Sequence, residues 1–216
     1  MQPPAEAPPS ARCASILVAT LGARWSRPPT PDQALRLFVT GPAGSGKSTL
    51  AGLLVERHGF ERLSLGDIPR SLAAGRGVAP TRAALQALGD ELRGGDPAAV
   101  ARLALPRMAG ARRIVVDGVR LPEEALLLRA EGFVGIGLSV PVGERRRRLE
   151  ARGERWAGPE ATHATETAFV PCDIRLECTG GLDALEATAA CLLRLAVLLV
   201  GHSGPPPHED RPMRRA

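Results

Sequence analysis

The stretch GPAGSGKST, Gly41 to Thr49, decides how the rest of this chain is read. It follows the pattern of a glycine, four residues, a glycine, a lysine and a serine or threonine, filled by Gly41, Gly46, Lys47 and Ser48. Such a loop turns successive backbone N–H groups, and the N-terminus of the helix that follows, toward phosphate oxygens. Lys47 is the one lysine among 28 basic side chains; every other is arginine. A composition that has exchanged lysine for arginine at generic surface sites keeps lysine where a compact ammonium fits and a planar guanidinium does not. The loop therefore reads as a nucleotide-binding loop. Gly41, Pro42, Ala43, Gly44, Ser45, Gly46, Lys47, Ser48 and Thr49 would surround the phosphates of ATP. Lys47 would reach the β- and γ-phosphates, and Ser48 would hold Mg2+.

The flanks agree with that reading. LRLFVT, residues 35–40, is a short apolar run that reads as a buried strand. KSTLAGLLVERHG has apolar residues at helical spacing and stops at Gly59. Further along, strands are expected at ERLSL, RRIVVDG, FVGIGLSV and DIRLEC. Between them lie helical stretches from Asp67, from Thr81 to Arg93, from Asp96 to Met108, from Pro122 and over GERRRRLEARG, with a long final helix over LDALEATAACLLRLAVLLV. This alternation predicts an α/β fold of three layers, a P-loop NTPase fold with a parallel sheet of about five strands covered by helices on both faces.

Ligands of such folds bind at the carboxyl ends of the strands. Besides the loop, two of those ends carry polar groups. SLGDIPR offers Asp67 and Arg70, and VVDGVR offers Asp117 and Arg120. An aspartate that closes an apolar strand beside a phosphate loop orients Mg2+ or its waters, so Ser48 and Asp117 are the candidate metal residues. Two arginines, each three residues after an aspartate, suit a second phosphate group through their guanidinium forks.

The rest of the chain narrows the function classes. The net charge is +5, part of it carried by the ends, and aromatic residues are only 3%. Neither an electrostatic footprint for nucleic acid nor a stacking platform is expected. Residues 1–31 read as a disordered proline-rich tail and 203–216 as a second one, leaving a domain over 32–202. ASILVATLGA is apolar but too short to span a bilayer, so no membrane partner is expected. Cys13, Cys172, Cys178 and Cys191 match no common zinc spacing and read as reduced thiols of a cytoplasmic protein.

GPAGSGKST, SLGDIPR and VVDGVR together resemble the nucleoside monophosphate kinase superfamily. Two smaller groups are more similar still. TRAALQALGDELR, VRLPEEA and HATET resemble the phage-type deoxynucleoside monophosphate kinases. GDIPR, DGVR and IRLECTGGLDAL resemble the archaeal dephospho-CoA-kinase-like proteins. The resemblance covers about residues 35–196. It implies an acceptor flap over about 67–108 and a lid over about 143–168. It implies that Arg70 grips the acceptor phosphate, with Asp67, Arg82, Gln86 and Arg120 also on the acceptor. Arg145, Arg148 and Arg152 share one helix face. The superfamily's lid arginines imply a catalytic role for Arg148 and Arg152 beside Lys47, Asp117 and Arg120. The chain departs from the phage-type pattern at Gly118, Thr165 and Glu177-Cys178, the last of which bears on base preference.

The expected function is an ATP-dependent small-molecule kinase that transfers the γ-phosphoryl of MgATP to a nucleotide-like acceptor, a (deoxy)nucleoside monophosphate in the first instance. A hydroxyl acceptor of the dephospho-CoA type, or an NTPase switch or motor subunit, are the alternatives. The protein is expected as a monomer or homodimer.

Overall fold

The computed structural model describes residues 16–18, 34–154, 170–178 and 182–202. Strand β1 (Ile16–Val18) precedes β2 (Leu35–Thr40), helix α1 (Lys47–His58) and β3 (Glu61–Ser64). Three helices follow, α2 (Asp67–Gly75), α3 (Arg82–Arg93) and α4 (Ala99–Met108). Then come β4 (Arg113–Val119), α5 (Pro122–Ala130), β5 (Val134–Ser139), α6 (Val142–Ala151), β6 (Ile174–Glu177) and α7 (Leu182–His202).

The strands form one sheet in the order β1-β6-β5-β2-β4-β3. The five strands from β2 to β6 run parallel, and β1 pairs antiparallel with β6 at the edge. Because β2 lies at the centre, both its faces are buried, which is why LRLFVT shows no alternation. Leu35, Leu37 and Val39 pack with α1 and α7 on one side. Phe38 packs with α4, α5 and strand β4 on the other. A Cβ at Gly135 of β5 would collide with the Phe38 ring, so the glycine makes room for that fully buried side chain. Burying Phe38 completely contributes about 2–3 kcal/mol.

Local chemistry sets the helix ends. Gly59 adopts φ 65° and returns its N–H to Leu54 and Val55, closing α1. The Thr81 hydroxyl accepts from the N–H of Ala84 at 3.2 Å and opens α3. Pro122 stands in the first turn of α5.

The parallel sheet and its two helical layers agree with the sequence. The expectation of a disordered tail over 1–31 needs a correction at Ile16–Val18, which form β1. Ile16, Leu17 and Val18 pair in register with Leu176, Arg175 and Ile174 and cover what would otherwise be the open edge of β6. Three residues are too few to show a period in the sequence. The remainder of both tails, and residues 155–169 of the expected lid, lie outside the described residues. Among the described residues no helix is long and apolar enough to cross a membrane, and Cys172, Cys178 and Cys191 are free thiols.

Removing residues 1–31 should therefore cost stability. Loss of a three-residue edge pairing is worth about 1 kcal/mol, or roughly 2–4 °C in Tm at this chain length. Calorimetry on the shortened chain checks it; an unchanged Tm would mean that β1 contributes nothing to the fold.

Candidate active site

The phosphate loop joins β2 to α1. Three of its glycines take backbone angles that side chains rarely allow: Gly41 at φ 140°, Gly44 at 77° and Gly46 at 95°. A Cβ at Gly41 would strike the carbonyl of Leu138, and one at Gly44 would come within 2.9 Å of the Arg145 carbonyl. The loop is thus wedged between the end of β5 and helix α6. Ser45 donates its N–H to Pro42 at 3.2 Å, and Leu50 to Gly46 at 2.9 Å, where α1 begins. The Lys47 ammonium donates to the Pro42 carbonyl at 2.7 Å. The Ser45 hydroxyl is fully buried with no partner.

A cavity of about 700 Å3 lies over this loop. Ala43, Gly44, Ser45, Gly46, Lys47, Ser48 and Thr49 line its floor, and Asp117, Arg120, Arg148 and Arg152 line its walls. Gly41 and Pro42 do not line it; they shape the loop from behind. Asp117 closes the buried run of β4 with a side chain only 5% exposed. One carboxylate oxygen pairs with the guanidinium of Arg62 on β3. The other, Oδ1, is buried and has no partner. A buried carboxylate oxygen left without a donor is costly unless something else satisfies it. Asp117 and the exposed Ser48 line the same cavity, and a carboxylate with a hydroxyl is a donor set that fits a hard cation with its waters.

A second cavity, about 390 Å3, adjoins the first. Arg82, Gln86 and Arg93 of α3 line it, with Leu85, Pro69, Pro80 and Val100 as its apolar part. The two cavities share Ala43, Gly66, Arg70, Gly118, Arg120 and Glu154. Arg70 and Arg120 thus stand at their junction. Asp67 lines neither cavity: its carboxylate accepts from Arg70 at 2.8 Å and is 59% exposed. The structure thus does not bring Asp67 to the acceptor cavity beside Arg70, Arg82, Gln86 and Arg120.

Helix α6 differs from a detached lid. Arg145 donates from Nε to the Ala43 carbonyl at 2.9 Å and so ties α6 to the phosphate loop. Arg148 donates to Glu144 at 2.7 Å and to the Cys178 carbonyl at 3.3 Å. Arg152 pairs with Glu154 at 3.4 Å. Hydrogen bonds from Arg148 first, and then from Arg147, hold the Glu144 carboxyl below its ordinary range. Burial pushes the Cys178 thiol up.

Arg62, Arg93, Glu124 and Glu154 were not singled out in the sequence. No local signal marks Arg62; it meets Asp117 because β3 and β4 pair in the register Ser64 to Asp117. Glu124 carries a signal, since it stands three residues after the residue that opens α5, as a capping glutamate does.

A UPF0200 protein of Aeropyrum pernix is 35% identical over 177 residues, which is 76% of this chain and 94% of that one. The chain belongs to the UPF0200 family. Its residues 37–166 also match the family model described as an AAA domain, so it belongs to that family as well. A second UPF0200 protein, from Methanothrix thermoacetophila, is 38% identical over 116 residues, 52% of this chain and 63% of that protein. A cytidylate kinase of Haloarcula marismortui is 60% identical over 44 residues, only 20% of this chain and 23% of that enzyme. Among solved structures, a gluconokinase from Sinorhizobium meliloti superposes with a TM-score of 0.50 at 20% identity, covering 79% of this chain and 98% of that one. That likeness concerns the fold. The UPF0200 chain is a P-loop α/β protein with two adjoining cavities at the carboxyl ends of its strands.

Proposed function

We propose that this UPF0200 protein is a kinase that moves the γ-phosphoryl group of ATP to a small acceptor bearing a phosphate. The observation that carries the reading is the junction of the two cavities: the phosphate loop floors one, four arginines reach the other, and Arg70 and Arg120 border both. The short identity with cytidylate and adenylate kinases supports the same chemistry.

In this reading the loop's backbone N–H groups and Lys47 bind the β- and γ-phosphates of the donor. Ser48 and the unpartnered oxygen of Asp117 would hold Mg2+, which neutralises charge on the β- and γ-phosphates when bound. Arg120 and Arg70 orient the acceptor phosphate for in-line attack. Arg148 and Arg152 lend positive charge to the equatorial oxygens as the bond to the β-phosphate breaks. Phosphoryl transfer asks for positioning and charge more than covalent help. An acceptor phosphate, largely dianionic at neutral pH, needs no general base. Arg82 and Gln86 belong to the acceptor side. A hydroxyl acceptor would need a carboxylate as base; Asp67 lines neither cavity, and Glu154 is the carboxylate that borders both.

The test is a panel of phosphate-bearing acceptors with ADP release as readout. Basal ATP hydrolysis should be slow and should rise sharply with the right acceptor. The AAA-domain match favours a second reading, an NTPase that drives a partner. Brisk hydrolysis without an acceptor, unaltered across the panel, would select it.

Arg70→Ala and Arg120→Ala should separate donor from acceptor. Each should raise the acceptor KM about tenfold or more, the size of a charge-assisted bidentate contact, with ATP affinity nearly unchanged. Lysine at either position should rescue only in part, because it keeps charge and loses the fork. Calorimetric titration of ATP on each variant decides: a collapse of ATP binding would move these arginines to the donor side.

A further inference from the structure

Glu124 is a carboxylate in an uncommon place. It stands in the first turn of α5, only 1% exposed, at the wall of the acceptor cavity. A buried carboxylate persists only where donors satisfy it. Glu124 has three. Oε2 accepts from the backbone N–H of Arg120 at 2.9 Å and of Leu121 at 3.2 Å. Oε1 accepts from Arg93 Nη2 at 3.2 Å. Arg93 is the last residue of α3, with a side chain 15% exposed, and it also reaches Asp90 at 3.3 Å. One buried carboxylate therefore grips the backbone that carries Arg120 and, with its other oxygen, the end of the acceptor-side helix.

We infer that Glu124 and Arg93 form a positioning pair: Glu124 seats the Arg120 backbone at the junction of the two cavities, and Arg93 ties that seat to α3. The inference rests on the two-cavity reading but not on turnover. Gly118, at φ 81°, makes β4 irregular just before Val119, its last residue paired with β2, and Arg120 and Leu121 form the short turn between that strand and α5. Such a turn lacks the ladder that holds a strand in place, and Glu124 supplies the missing constraint. Arg82, Gln86 and Arg93 come from α3, so a shift of that helix is transmitted to Arg120 through the pair.

The sign of one substitution tests the idea. Glu124→Gln keeps a carbonyl oxygen for the two backbone N–H groups but turns an NH2 toward Arg93, donor against donor. It also removes a negative charge from a cavity that binds anions. If Glu124 acted through its charge alone, the substitution would strengthen anion binding. If it positions Arg120, binding there weakens.

Inorganic phosphate is the probe, titrated into the full chain and followed by NMR at the Arg120 side-chain Nε–H and backbone amide. The amides of Gly44 and Gly46 report phosphate at the loop in the same experiment. Glu124→Gln should weaken phosphate at Arg120 about tenfold, the scale of one charge-assisted hydrogen bond, and leave the loop site unmoved. Arg93→Met, which keeps the stem and loses the guanidinium, should do the same. The double variant should be no weaker than either alone, because both break one contact. Rescue by Arg93→Lys should be partial. Unchanged or tighter phosphate at Arg120 in Glu124→Gln overturns the inference. So does equal weakening at Arg120 and at the loop, which would mean general loosening. If Glu124→Gln fails to fold, Glu124→Asp, which keeps the charge and shortens the reach, carries the test: weaker phosphate at Arg120 with the loop site unmoved supports the inference, and unchanged binding overturns it. Failure of the kinase reading shows elsewhere, as absence of acceptor-dependent ADP release with the phosphate results intact.

Discussion

Lys47→Ala should lower phosphoryl transfer by roughly two to three orders of magnitude, the loss seen when one preorganised charge contact to a transition state is removed. The ammonium sits on a loop and donates to the Pro42 carbonyl, so its removal opens no cavity in the core. The thermal midpoint should stay within roughly 2–3 °C of the parent chain, as for other substitutions away from the core. Lys47→Arg should fail almost as badly, for reasons of size. The loop is already pressed against Arg145 and Leu149 of α6 at Gly44, and a guanidinium is broader than the ammonium it would replace. Acceptor-dependent ADP release measures the rate, and calorimetry measures ATP binding. Turnover near the parent level in Lys47→Ala would remove the loop from the chemistry. A competent Lys47→Arg would show that the single lysine has no steric cause.

Asp117→Asn should be nearly as damaging to rate and yet benign to stability. The carboxylate keeps one buried oxygen without a partner, a cost that a purely structural residue would not carry. Its ion-pair partner, Arg62, has a side chain 39% exposed and can turn to water when the pair is lost. Transfer should fall by about a hundredfold, and half-maximal rate should require more Mg2+. The thermal midpoint should hold or rise, since a buried carboxylate with an unsatisfied oxygen is replaced by a neutral amide. Two measurements decide the matter, ADP release across a Mg2+ series and a thermal melt without nucleotide. A large fall in Tm with little loss of rate would make the Arg62–Asp117 pair a structural brace.

The two residues show different degrees of legibility. Lys47 was readable because its whole context is local: a strand before it, glycines around it and a helix after it. Asp117 was half readable. Its place at the end of an apolar run pointed to the site, but Arg62, 55 residues earlier, gave no sign of pairing with it. Asp67 is a related case. Proximity in sequence does pair it with Arg70, but of the two only Arg70 lines the cavities. Arg148 and Arg152 do border the donor cavity, while Arg145 on the same helix holds the phosphate loop instead.

By itself, the sequence determined the phosphate loop, the five parallel strands and the helices between them. Each depends on side chains a few positions apart, whose spacing matches the period of the element they form. Only the tertiary structure decided that β1 closes the sheet beyond β6, that Arg62 meets Asp117, and that Glu124 joins Arg93 to the Arg120 backbone. Those contacts exist because the strand order β1-β6-β5-β2-β4-β3 brings together segments that are far apart along the chain. A buried charge is satisfied by whichever donor the packing delivers, and no pattern of neighbours along the chain encodes which one that is.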